Sequence, residues 1–150
     1  PVDINTILDE ILLLHEKQFQ ENNILISTEL AAELPSVLAS KNQLRQVFLN
    51  MFKNAGDAMP DGGTLTVKTA ADDREITIDI ADTGIGIKEE NINNIFEAFF
   101  TTKSSVKGVG LGLSVCYGFI VEHGGDIQVT SEWGTGTCFR ITLPAYAHPH

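Results

Sequence analysis

Apolar residues recur at helical spacing near the start of the chain. In INTILDEILLLHEKQFQENN they fall at Ile4, Ile7, Leu8, Ile11, Leu12 and Phe19, which predicts a first helix. ILISTELA (Ile24 to Ala31) alternates instead, as a strand does, and Pro35 ends that region. Ser40-x-x-Gln43 is a capping-box pattern, and the helix it opens buries Leu44, Val47, Phe48, Met51, Phe52 and Met59 until Pro60-Asp61-Gly62-Gly63 stops it. TLTVKTA and EITIDIAD alternate cleanly on either side of Ala71-Asp72-Asp73-Arg74, a hairpin pattern. KEENINNIF reads as a short helix. From Glu97 to Leu111 the periodicity is lost and Ser, Thr, Lys and Gly dominate. GLSVCYGFIVEH is a further helix closed by Gly124-Gly125, and DIQVTSEW and TCFRITLP pair across Gly134-Thr135-Gly136. AYAHPH, residues 145–150, has no pattern and reads as a loose tail.

Helices mixed with antiparallel strands in this way suggest one sheet with helices packed on one face. At 150 residues the chain suffices for a single domain with a real core, and no repeat or low-complexity segment divides it. The net charge is −10, from 20 acidic and 10 basic residues. That balance argues against nucleic acid and against docking to an anionic membrane, because both need cations to neutralise phosphate. A small anionic ligand has to be held locally, against the global field. Cys116 and Cys138 lie in apolar-rich stretches and form no CxxC pair, so buried free thiols are expected rather than a zinc site or disulfides. No apolar run is long enough to span a bilayer and no signal peptide opens the chain, so it reads as cytoplasmic; the abrupt PVDIN start suggests a piece of a longer protein, which is free to be membrane-anchored.

Three polar residues stand out on the second helix. Asn50, Asn54 and Asp57 are spaced by four and then three, which puts them on one stripe. Taken alone, that stripe is equally a solvated face. It lacks, however, the Lys and Glu that surface helices favour, and an asparagine carbonyl suits Mg²⁺ when phosphates supply the other oxygens. DTGIGI follows a strand. There Asp82 can accept a hydrogen bond from an exocyclic amine, and Gly84 and Gly86 permit close approach to the backbone, although a plain tight turn reads the same way. In KGVGLGLS, Gly108, Gly110 and Gly112 leave backbone N–H groups free for phosphate at a helix start. This is neither a Walker loop, since no G-K-[ST] follows, nor a Rossmann fingerprint, since no strand leads into it.

In order and spacing, LNMFKNAGDAM, DTGIGI, FEAFFTTK, GVGLGLS and GTGT resemble the N box, first glycine box, F box, and second and third glycine boxes of sensor histidine kinases. These belong to the GHKL superfamily, with DNA gyrase, the heat-shock chaperone ATPase and mismatch-repair ATPases. The likeness runs from about Asn42 to Pro144. It implies an α/β fold: a two-layer α/β sandwich, with a mixed, mostly antiparallel sheet of about five strands, covered on one face by about three helices, and a mobile ATP lid over roughly Ala98 to Gly110.

The resemblance also implies roles. Asn54 is the Mg²⁺ ligand, and Asn50, one turn earlier, supports metal or phosphate. Asp82 recognises the adenine amine, beside Gly84, Gly86 and Ile87. Gly108, Val109, Gly110, Leu111 and Gly112 cradle the phosphates of ATP. Thr137 helps to hold Asp82 or a water. Lys103 reaches a phosphate next to Thr102, Lys53 is a second candidate cation, and Asp57 faces the pocket. Phe96, Phe99 and Phe100 anchor the lid. The ATP-hydrolysing relatives carry a glutamate general base where this chain has Asn50, and an amide takes no proton from water. The resemblance therefore points to phosphoryl transfer onto a histidine of a separate dimerisation domain, with a response regulator downstream.

The acceptor histidine is absent. His15-Glu16 superficially fits but lies too close to the N box and lacks the two-helix hairpin, so residues 1–20 read as the lead-in after that hairpin. His123 precedes Gly124, where a cation suits the helix dipole, and reads as structural. Three alternatives stay open: a GHKL ATPase, a serine kinase of the anti-sigma-factor type, and a nucleotide-sensing module without transfer activity.

Overall fold

A computed structural model describes residues 2–86 and 109–146, with residues 109–114 described by their backbone alone. Helix α1 spans Ile4–Glu21 and α2 spans Lys41–Ala58. Each opens on a short polar cap: Asp3 accepts from the Asn5 N–H at 3.0 Å, and Ser40 Oγ accepts from the Gln43 N–H at 3.3 Å. Helix α3 spans Val109–Glu122. It begins three residues before the sequence pattern suggests, so Val109, Gly110 and Leu111 belong to its first turn rather than to an irregular stretch. Gly124, at φ +80°, ends it, and the Gly125 N–H bonds back to Ile120 O at 2.9 Å.

The strands are β1 (Ile24–Glu29), β2 (Gly63–Ala71), β3 (Glu75–Asp82), β4 (Asp126–Glu132) and β5 (Gly136–Pro144). They form one sheet in the order β1-β2-β3-β5-β4. β1 runs parallel to β2, which α2 makes possible by crossing over between them; the other three pairings are antiparallel. β1 stops at Glu29, two residues short of the alternating run. There the Ala31 N–H leaves the ladder and donates to Thr69 Oγ1 at 2.8 Å.

The core lies on one side of the sheet. Leu65 and Val67, Ile76, Ile78 and Ile80, and Phe139, Ile141 and Leu143 alternate inward and meet Ile4, Ile7, Leu8 and Ile11 of α1 and Leu44, Val47, Phe48, Met51 and Phe52 of α2. The opposite face is polar. On it Lys68, Asp79 and Arg140 share one register row, and Arg140 grips Asp79 through two hydrogen bonds at 2.8 and 3.1 Å. Cys138 sits on this open face, half-buried, and is not the core thiol that composition suggested, whereas Cys116 is fully buried.

One polar knot crosses the core. Asn5 Nδ2 donates to Ala31 O at 2.7 Å, and buried Thr69 donates to Asn5 Oδ1 at 3.0 Å while accepting from Ala31. It ties the start of α1 to β2. The segment after the last strand is also tied: the Ala145 N–H bonds Arg74 O at 2.9 Å and the Tyr146 N–H bonds Ser36 O at 2.7 Å, so these two residues are not loose. The KEENINNIF helix, the lid up to residue 108 and residues 147–150 lie outside the described residues. Among those described, no helix is long and apolar enough to cross a membrane.

Thr69→Val keeps the shape and removes the knot's centre, leaving the Ala31 N–H and Asn5 Oδ1 short of a partner. The expected loss is about 2 kcal/mol, read as a lower urea midpoint at unchanged m-value. Lys68→Ala breaks only an exposed 3.5 Å pair with Glu29 and is expected to cost less than about 0.5 kcal/mol in the same assay.

Candidate functional site

The candidate site gathers where β3 ends. Asp82 is the last residue of β3 and the register partner of Thr137 on β5. Its Oδ1 accepts from the Gly84 N–H at 2.9 Å. Burial pushes its carboxyl above the ordinary aspartate range, and the backbone N–H groups of Gly84 and Thr137 pull partly against that shift. The result is a half-buried carboxylate held by backbone and provided with no cation among the described residues. Thr137 serves Asp82 through its backbone N–H, while its hydroxyl is engaged elsewhere. Ser131 Oγ donates to Gly136 O at 3.0 Å, which leaves Thr137 Oγ1 to donate to Ser131 at 2.8 Å.

After Asp82 the chain is wedged between two elements. The Ile85 N–H bonds Ala58 O, at the end of α2, at 2.9 Å, and the Gly134 N–H in the β4–β5 turn bonds Ile85 O at 2.7 Å. A side chain at residue 84 would collide with the Ala58 backbone. One at residue 86, where φ is +76°, would collide with Glu132 O. Gly84 and Gly86 thus leave room for neighbouring backbone. Thr83, which the sequence reading passed over, completes the anchor: its Oγ1 accepts from the Thr64 N–H at 2.9 Å and donates to Met59 Sδ at 3.8 Å. It lies inside DTGIGI but has no chemistry of its own to draw notice.

This wedge brings the end of α2 beside Asp82. Asn54 precedes Ala58 by one turn, and Asn50 by two. Both are half-buried, whereas Lys53 and Asp57 are exposed. Asn50 and Asn54 sit about 6 Å apart along the helix axis. Asn50 does not simply line an open stripe. Its Nδ2 donates to Cys116 Sγ on α3 at 3.6 Å, a contact that no spacing in the sequence reveals. Cys116 follows Val109 by seven residues, so this contact lies about 10 Å along the axis from the start of α3. The first α3 turn is Val109 to Gly112, and a helix start is where backbone N–H groups lack an intrahelical partner. Ile87, Phe99, Thr102, Lys103 and Gly108, with Phe96 and Phe100, lie outside the described residues.

The donors present suit a magnesium–phosphate group. Two half-buried amides offer neutral oxygens, and no cluster of three or more His, Cys, Asp or Glu occurs among the described residues to hold a cation alone. A metal there needs phosphate oxygens to complete its set. The two histidines among the described residues are held by packing and backbone: His15 packs edge-on against Phe19 and Phe52, with ring centroids 5.3 and 5.4 Å away, and His123 Nδ1 bonds Phe119 O at 2.6 Å.

The family model described as histidine kinase-, DNA gyrase B-, and HSP90-like ATPase matches residues 39–147. Sporulation kinase E of Bacillus subtilis (strain 168) is 41% identical over 142 residues, which are 94% of this chain and 19% of that protein. The adaptive-response sensory kinase SasA of Prochlorococcus marinus (strain AS9601) is 36% identical, over 97% of this chain and 40% of its own length. The chain thus spans well under half of these relatives. Among solved structures, the catalytic domain of histidine kinase ThkA superposes with a TM-score of 0.86 at 29% identity, covering 96% of this chain and 93% of that one. ThkA in complex with response regulator protein TrrA gives 0.81 at 27%, over 97% and 41%. Full-length ShkA in complex with AMPPNP gives 0.85 at 32%, over 99% and 32%. With a five-stranded mixed sheet under three helices among the described residues and its family match over most of its length, the chain belongs to the histidine kinase-, DNA gyrase B- and HSP90-like ATPase family, among the catalytic domains of histidine kinases.

Proposed function

We propose that this domain binds Mg-ATP and donates the γ-phosphoryl group to a histidine on a separate dimerisation domain of its parent kinase, for onward transfer to a response regulator. The observation that carries the reading is Asp82: a half-buried carboxylate, held by two backbone N–H groups, beside a helix that offers amides. Its free acceptor capacity suits the exocyclic amine of adenine, and burial strengthens that bond by excluding water. Asn54 supplies a neutral oxygen to the metal and Asn50 supports it. The first-turn N–H groups of α3, with Lys103 and Lys53 as cations, suit the phosphates. Bound Mg²⁺ supplies charge neutralisation on the transferring group. The chain's own part is alignment, because phosphoryl transfer needs positioning more than covalent help. Asn50 stands where a hydrolase needs a general base, which favours transfer over rapid hydrolysis. The AMPPNP complex of ShkA and the TrrA complex of ThkA support the nucleotide and the regulator respectively.

Calorimetric titration of ATP with Mg²⁺ and then with EDTA separates the metal from the base. Wild type is expected to bind more tightly with Mg²⁺, and Asn54→Ala to lose most of that difference, by roughly tenfold or more. Absence of ATP binding by wild type in both conditions would sink the reading.

Asp82→Asn tests the base. Because its folded pKa is raised, the ionised carboxyl destabilises the empty domain: the favourable contribution exists below the unfolded pKa and is lost as pH rises through the folded one. The amide variant is therefore expected to melt no lower than wild type at neutral pH. Its ADP affinity in EDTA should fall roughly ten- to a hundredfold, the worth of a hydrogen bond to a charged group. In wild type, ADP affinity should weaken as pH drops through the raised Asp82 pKa; a flat profile would remove Asp82 from recognition.

With a dimerisation domain from its own parent protein, the chain is expected to transfer label from γ-labelled ATP into acid-labile, base-stable phosphate. Steady ADP release without a labelled partner would instead favour a hydrolase.

A further inference from the structure

Cys116 is fully buried on α3. Its Sγ receives the Nδ2–H of Asn50 at 3.6 Å. Cys116 is the hydrogen-bond partner of that side chain among the described residues. An asparagine amide has two faces of nearly equal shape, one carbonyl and one NH₂, and only its partner decides which way it sits. With Nδ2 bound to sulfur, Oδ1 is turned away from α3. The reverse orientation would set Oδ1 against a weak S–H donor and point N–H groups, which repel a cation, in the direction Oδ1 now takes.

We infer that Cys116 is a positioning residue: it holds the Asn50 amide in the orientation that presents Oδ1 to the metal–phosphate group. The inference rests on the metal and phosphate role proposed above for Asn50. Sulfur suits the task because a thiol sulfur accepts a weak hydrogen bond from the amide N–H. The same contact joins the helix that carries the asparagines to the helix whose first turn faces the phosphates. A shift of α3 along its axis would release the amide, so metal affinity becomes coupled to the placement of α3.

Three proteins test this: wild type, Cys116→Val, which fills the space without an acceptor, and Cys116→Ser, which keeps one. The readout is the ratio of ATP dissociation constants in EDTA and in Mg²⁺, together with the Asn50 side-chain amide resonances of the nucleotide-free protein. Cys116→Val is expected to lower the ratio about tenfold while leaving the EDTA affinity unchanged, and to narrow the splitting of the Asn50 amide protons. Cys116→Ser should restore both. A wild-type ratio and unchanged amide resonances in Cys116→Val would overturn the inference, as would equal loss of EDTA affinity in Val and Ser, which marks a purely structural role. A wild type with no Mg²⁺-linked affinity would overturn the metal role of Asn50 itself and this inference with it. The wild-type ratio thus tells the two failures apart.

Discussion

The site depends on backbone meeting backbone. Between Asp82 and Gly86 the chain is pressed against the last turn of α2 on one side and the β4–β5 turn on the other, through Ile85 bonded to Ala58 O and Gly134 bonded to Ile85 O. No side chain fits at residues 84 or 86 without striking the Ala58 or Glu132 backbone. Gly136 obeys the same limit from β5, where a Cβ would strike the Asp82 carbonyl. Three elements remote in sequence are thereby fixed to one another within hydrogen-bonding distance. The geometry of Asp82 relative to the asparagines of α2 follows from that contact.

The electrostatics follow from the same wedge. A chain of net charge −10 is a poor attractor of nucleotide at long range. Recognition has to be local, from groups that are aimed. Half-burial raises the proton affinity of Asp82, and the Gly84 and Thr137 N–H groups keep the carboxylate oriented. The fold tolerates this unfavourable group because the strand end and the turn around it are held by their own hydrogen bonds. The asparagines of α2 are the complementary choice: half-buried amides offer neutral oxygens without adding charge.

Much of the architecture was legible in the pattern. Strict alternation in β2, β3 and β5 told inward from outward faces, because a strand's side chains alternate with a period of two. The caps at Ser40 and Gly124 are local chemistry and were read as such. What failed was what depends on distant partners. The pattern starts α3 three residues later than the structure does, since Gly110 and Gly112 are weak helix formers that read as loop. β1 was extended too far because the partner that captures Ala31 is Thr69, far along the chain. Ala145 and Tyr146 looked loose because their carbonyl partners, Arg74 and Ser36, belong to other segments.

Sequence alone determined the inventory of polar groups, and only the order of its motifs together gave the family resemblance. Residue types at set spacing, namely the amides on one helix, the aspartate before DTGIGI's glycines, and the glycines opening another helix, specify which groups are available and in what order. These are local properties, and they survive without coordinates. Tertiary structure decided what each group touches. It set Gly84 and Gly86 against neighbouring backbone, turned the Thr137 hydroxyl to Ser131, and set Asn50 against a buried thiol sixty-six residues away. The reason is physical: hydrogen-bond partners and burial arise from packing between elements, and no short window of sequence contains both sides of such a contact.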